Sequence, residues 1–205
     1  MRRHRCIAVT LAMFVTAPAG AVDTAGVARA AAQRTCTPKG WHVAYAAERA
    51  RVLKRDGKDR FRSCDIQTKR VWDLGAGKIE KFSQSGPWLL FHRPLSTSDE
   101  IYAHDVQSGI RRKIYTQSQY LTLWGAAVTR GGTVVYEASN ARSPSHGIYA
   151  DTVGGQVIRL DADHPVAFEP DAVKSSLAVA ERSGALAPIA YWRAADGTAA
   201  SADVP

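Results

Sequence analysis

"SQSGPWLLF", residues 83–91, joins a small-polar turn and a glycine to a short apolar run that ends in an aromatic. Upstream, "TPKGWHVAY" (37–45) has the same build, and downstream "TRGGTVVY" (129–136) repeats it. Aligned on glycine, the three fall at Gly40, Gly86 and Gly131, 46 and 45 residues apart. A fourth run, "SLAVAER" (176–182), keeps the spacing with Lys174 where the glycine would stand. Glycine in such a place reads as a tight turn whose backbone needs positive φ. A recurrence of this length marks a repeat architecture, in which one unit cannot bury its apolar faces alone.

After each run comes a polar loop and then a second apolar stretch. These stretches are "FRSCDIQTK" (61–69), "IYAHDVQSG" (101–109), "IYADTVGGQ" (148–156) and "IAYWRAADG" (189–197). Three of them lead into another short strand: "RVWDL" (70–74), "RKIY" (112–115) and "QVIRL" (156–160). Short runs rich in Val, Ile, Tyr and Trp, punctuated by Gly, Ser, Asp and Asn, are strand signals. No stretch after the leader carries a 3.6-residue period. The expected fold is all-β and β-propeller-like, with about four four-stranded blades near 37–80, 81–120, 121–162 and 163–205. Blades stacked face to face bury their middle strands on both sides, which explains near-continuous apolar runs. The last strand would fall in "TAASADVP" (198–205), a poor strand former, so a closed ring and an incomplete one both stay open.

"FSQSGPWLLF" (82–91) followed by "DEIYAHDVQSG" (99–109) resembles the TolB-type, WD-like propeller repeat. "TPKGWHVAY" resembles its first half and "HGIYADTVGGQ" (146–156) its second. The chain departs from that repeat at the turn, where the usual Pro-Asp-Gly is Pro38-Lys39-Gly40, Gln84-Ser85-Gly86 and Arg130-Gly131-Gly132. The fourth unit departs further, with "EPDAVKSS" (169–176) carrying three extra residues. The resemblance implies an interaction platform of the cell envelope. In other relatives such propellers are accessory domains beside a peptidase, and no peptidase domain fits here.

The chain has 205 residues, 45% of them hydrophobic, enough for one ordinary domain. Arg2, Arg3 and Arg5 precede the apolar "CIAVTLAMFVTA" (6–17), and small-residue cleavage patterns follow. That is the build of a secretory signal peptide within residues 1–32, cleaved between 21 and 32. The apolar run is too short to span a bilayer, which takes about 20 residues. No other segment is a membrane-span candidate, and no lipobox precedes Cys6 or Cys36. The domain is therefore 33–205, expected in the periplasm or outside the cell. There Cys36 and Cys64 are either paired or left as free buried thiols.

The formal charge of +8 is uneven. Half of "RARVLKRDGKDRFR" (49–62) is Lys or Arg: Arg49, Arg51, Lys54, Arg55, Lys58, Arg60 and Arg62. Such a run is a solvated loop, or it steers an anionic partner. For an exported chain that partner is a protein or an anionic envelope polymer, and no nucleic acid is expected. The other candidate binding residues are Arg142, His146, Asp161, Asp163 and His164, placed by the repeat on loops of one face.

No catalytic constellation stands out. Asp161, Asp163 and His164 could serve a metal or acid/base chemistry, or form a polar turn before Pro165. His146 beside Ser143 and Ser145 is too local to form a triad. "DGKD" (56–59) lacks the rest of a calcium loop. His42, His92 and His104 read as half-buried side chains within strands. No metal and no cofactor is expected. The expected function is non-catalytic binding of a macromolecule through the loop face. Two alternatives remain. One is a small hydrolase or carbohydrate-active enzyme using Asp99, Glu100, Asp161 and Asp163 at the channel mouth. The other is a truncated copy of a longer propeller protein. The oligomeric state is open.

Overall fold

Fifteen strands run through the described residues, and every paired strand is antiparallel to its neighbour. The computed structural model describes residues 36–94, 99–117, 121–140, 143–167, 176–184 and 186–205. The leader, Arg142 and nearly all of "EPDAVKSS" lie outside them. Blade 1 is the meander β1 (Trp41–Ala46), β2 (Ala50–Arg55), β3 (Arg60–Asp65) and β4 (Val71–Ala76). Blade 2 is β5 (Glu80–Ser85), β6 (Trp88–Pro94), β7 (Asp99–Asp105) and β8 (Arg111–Gln117). Blade 3 is β9 (Leu121–Val128), β10 (Val134–Asn140), β11 (Ser143–Asp151) and β12 (Val157–Arg159). Blade 4 has three strands, β13 (Ala178–Ala180), β14 (Ile189–Arg193) and β15 (Ala199–Asp203).

The second strand of each blade sends alternate residues to opposite neighbours, as strand geometry requires. Ala50 and Val52 of blade 1 pack with Leu89 and Phe91 of blade 2. Trp88 and Leu90, on the other face of blade 2, pack with Val134 and Tyr136 of blade 3. Val135 of blade 3 packs with Ala190 and Trp192 of blade 4. Three apolar layers thus join four sheets in chain order. Among the described residues no apolar cluster joins blade 4 to blade 1, so the stack is propeller-like and open.

The structure revises the strand register. "WHVAYAA" forms the first strand of its blade, whereas "PWLLFHR" and "GTVVYEA" form second strands. Likewise "IAYWRAADG" supplies β14, a second strand, and does not align with the third strands β3, β7 and β11. One backbone bond makes the equivalence explicit. The N–H after the third strand donates to the carbonyl before the second in three blades: Ile66 to Arg49, Val106 to Pro87, Val204 to Pro188. The weak segment at 198–205 therefore holds β15, the third strand of blade 4. Its small residues suffice because one face alone is buried, through Ala200 and Ala202. Gly131 is not at positive φ; the adjacent Gly132 is, at 90°, and any side chain there would collide with Trp88.

The first strands of blades 2, 3 and 4 meet at one end. Glu181, just past β13, accepts from Ser85 Oγ at the end of β5 (2.9 Å) and from the Arg130 N–H beyond β9. That contact ties blade 4 to blades 2 and 3.

Candidate functional site: the outward face of blade 1

The basic segment 49–62 is not a loop. It is the hairpin β2–β3 with a tip at 56–59. Apolar residues at alternate positions fold it as strand, and the same alternation sorts its charges. Because Ala50, Val52 and Phe61 pack toward blade 2, Arg51, Leu53, Arg55, Arg60, Arg62 and Cys64 take the opposite face. Among the described residues no apolar cluster joins that face to another blade.

Its residues divide into held and open groups. Arg62 stacks over the Trp41 ring at 4.4 Å. Arg60 binds Asp73 at 2.6 Å; that bond and the N–H of Gly75 hold the Asp73 carboxyl below its usual range. Arg51, Arg55 and Val43 are exposed. At the far end Cys36 and Cys64 form a disulfide, with Cα atoms 5.6 Å apart. Leu53, on the same face, is fully buried. The result is an arginine-rich sheet face with an aromatic, Trp41, and an aliphatic, Val43, set among the charges.

The remaining basic residues sit elsewhere. Arg49 donates to Asp65 (3.4 Å), a buried carboxylate that also accepts from the Gln67 N–H and the Thr68 hydroxyl. Burial pushes Asp65 up, but these three donors outweigh it and hold the carboxyl low. Lys54 pairs with Asp59 at 2.9 Å and lies over Phe61, while Lys58 is exposed at the tip. His42, Lys54, Arg55, Gly57, Lys58 and Asp59 line a shallow depression of about 250 Å³. His42 is exposed there, 2.8 Å from Asp56.

The other sequence candidates do not join this face. His146 lies in β11 with its Nε2 2.9 Å from Glu137, both nearly buried. Asp161 is fully buried, accepts from Arg159 Nε (2.8 Å) and the Val166 N–H (3.1 Å), and closes the link between blades 3 and 4. Asp163 and His164 are exposed in that link. Arg142 and the side chains of Ser143, Ser145 and Asp99 lie outside the described structure. Glu100 is engaged within its own blade by Tyr102 and Lys113. Among the described residues no three of His, Cys, Asp and Glu come together as a metal site. The link from β13 to β14 joins a first strand to a second and so opens at the opposite end from the β2–β3 tip.

Sequence reasoning missed Trp41, Val43 and Leu53 as parts of the face. The signal was partial: Ala50, Arg51 and Val52 alternate, but Leu53 then falls on the arginine side and Lys54 on the side of Ala50 and Val52. It also missed the buried contact of Ser63 with His104, which lie 41 residues apart on different blades.

No family model matches the chain, and no curated protein matches it. Among solved structures it is similar to TolB from Acinetobacter baumannii, at 15% identity and a TM-score of 0.38. That alignment covers 78% of this chain and 42% of the other, so the chain spans about two fifths of its length. It is also similar to a chain of the mitotic checkpoint complex, at 12% identity and a TM-score of 0.21, over 98% of this chain and 89% of that one. No helix among the described residues is long and apolar enough to cross a membrane.

Proposed function

We propose that the protein is an exported, non-catalytic propeller-like module that binds an acidic protein through the outward face of blade 1. One observation carries the reading. Toward the preceding blade, blades 2, 3 and 4 present buried Leu89 and Phe91, Val134 and Tyr136, and Ala190 and Trp192. On the corresponding face blade 1 has a single buried apolar residue of its second strand, Leu53, flanked by exposed Arg51 and Arg55. A sheet face that packed against another blade would not keep two solvated arginines there. Arginine and tryptophan together are the composition of protein interfaces, whereas a purely electrostatic polymer site has no need of Trp41 or Val43. The disulfide and the basic, then apolar, N-terminal sequence support an oxidising compartment outside the cytoplasm.

The test is binding by wild type and by the pair Arg51→Glu, Arg55→Glu, at low and high salt. The pair is expected to abolish capture of the partner while leaving the thermal melt unchanged. Retained binding at all salt concentrations would refute the assignment of the face.

A further inference from the structure

At the other end of the stack, blade 4 carries a second face that no other described blade covers, of different chemistry. Ala190, Trp192 and Ala200 point toward blade 3, so Ile189, Tyr191, Arg193, Ser201 and Asp203 take the opposite face of blade 4. The positions turned toward a following blade are buried elsewhere: Val52 0%, Leu90 4% and Val135 0% exposed. Tyr191 is 43% exposed. Around it the face is flat and small, with Ala178, Ala180 and Ala199 all exposed. An aromatic ring amid small side chains can act as a knob against a flat surface, and a second sheet can approach closely.

We infer that this face is a two-fold interface between two copies of the chain, blade 4 against blade 4. The charges choose this occupant. Arg193 pairs across the ladder with Ala199, and Asp203 pairs with Ile189, so the two charges sit at opposite ends of the face. The Tyr191↔Ser201 pair lies midway between them. A two-fold axis in the interface, running across the strands at that pair, turns the sheet end for end. It sets Arg193 of one copy against Asp203 of the other, twice. Asp203 is well exposed and already holds Arg182 at 2.7 Å, so a further cationic neighbour completes a network. The competing arrangement, blade 4 of one copy on blade 1 of the next, offers Arg193 only further arginines, Arg51, Arg55 and Arg62, and leaves Asp203 alone to match them, so it is the less complementary of the two. The self-complementary pairing closes at two copies, as isologous contacts do. It leaves both arginine-rich faces of blade 1 outward, one on each copy.

The test is sedimentation velocity and light scattering of the purified wild-type protein over a hundredfold concentration range. A dimer is expected. Tyr191→Arg and, separately, Arg193→Asp should each raise the dimer dissociation constant at least about tenfold, with circular dichroism and melting unchanged. Arg193→Asp combined with Asp203→Arg should restore most of the lost affinity. Arg51→Glu should leave the dimer intact. A wild-type monomer at every concentration would overturn the inference. So would a dimer indifferent to both blade 4 substitutions, or one broken by Arg51→Glu, which would mark head-to-tail association. The readout is independent of partner binding at blade 1, so either assignment can fail alone.

Discussion

The Ser63 hydroxyl lies 2.8 Å from Nε2 of His104, and both residues are fully buried between blades 1 and 2. The other ring nitrogen, Nδ1, is 3.2 Å from the Ile110 carbonyl, which can only accept. Nδ1 therefore carries the proton, and Nε2 accepts from Ser63. The pair is a neutral serine–histidine contact with no solvent access, and it fastens the third strands of adjacent blades.

Acid should undo that fastening. Burial above all, with the Arg111 charge adding to it, pushes His104 down from 6.5 to about 4. The bond to Ile110 and the nearby Asp105 oppose the shift without cancelling it. The unfolded chain binds the proton more readily, so the contribution to stability is full above pH 6.5 and is lost as pH falls to about 4. Its size is on the order of 3 kcal/mol. Urea unfolding between neutral pH and pH 4 should show that loss. His104→Gln, already less stable at neutral pH, should have a visibly flatter profile; an equal slope in both proteins would count against it.

The disulfide ties the start of the described chain to β3. Replacing both Cys36 and Cys64 by Ser opens a loop of 29 residues, counted inclusively over a separation of 28. That should cost about 3–4 kcal/mol in the chain-entropy treatment. Reduction of the wild type, followed by urea unfolding, should give a loss of similar size. If neither treatment moves the midpoint, the bond adds nothing to the fold.

Lys69 and Gly109 hold the same turn position in blades 1 and 2. Each N–H donates to the carbonyl four residues back, Asp65 or Asp105, at 2.8 Å, and each has positive φ, 59° and 86°. Glycine adopts that conformation without strain and lysine does not. Lys69→Gly should therefore stabilise, by about 0.5–1 kcal/mol. Gly109→Ala should destabilise by about 2 kcal/mol or more, because its Cβ would lie 2.6 Å from the Trp72 ring. Chemical denaturation of both variants checks the pair of opposite signs.

The charged face should make binding depend on salt. Arg51 and Arg55 are exposed, whereas Arg60 and Arg62 are held by Asp73 and Trp41. Neutralising either of the open pair to Gln should weaken partner binding by roughly 1 kcal/mol and flatten its salt dependence. Neutralising Arg60 should mainly cost the Asp73 contact and leave binding nearly unchanged. Isothermal titration at two salt concentrations separates the two cases.

Much of the architecture was legible because it rests on local pattern. Turn residues bounding "PWLLF" and "IYAHD" give strands β6 and β7 whatever lies around them. The register of blade 1 was not legible, because Gly40 imitates the turn before a second strand while preceding a first one. The equivalent turn in blade 1, at 47–49, is Ala-Glu-Arg and contains no glycine. The charge run was visible, but its geometry depended on recognising β2 inside it. Lys and Arg are poor strand formers, and Ala50, Val52 and Leu53 override them only because they are buried. Asp161 could not be assigned from sequence because its partner groups, Arg159 and the Val166 N–H, depend on the path of the link. The Ser63–His104 contact has no sequence signal, since packing of separate blades creates it.

The most direct test of the blade 1 face is affinity capture from envelope and secreted fractions, using wild type beside the Arg51→Glu, Arg55→Glu protein. Matched baits should be washed at low and high salt, with partners identified by mass spectrometry and both melts recorded. The account predicts an acidic protein held by wild type at low salt, released at high salt, and absent from the double variant of equal melting temperature. A partner retained equally by both baits, or no partner on a folded wild-type bait, would contradict it.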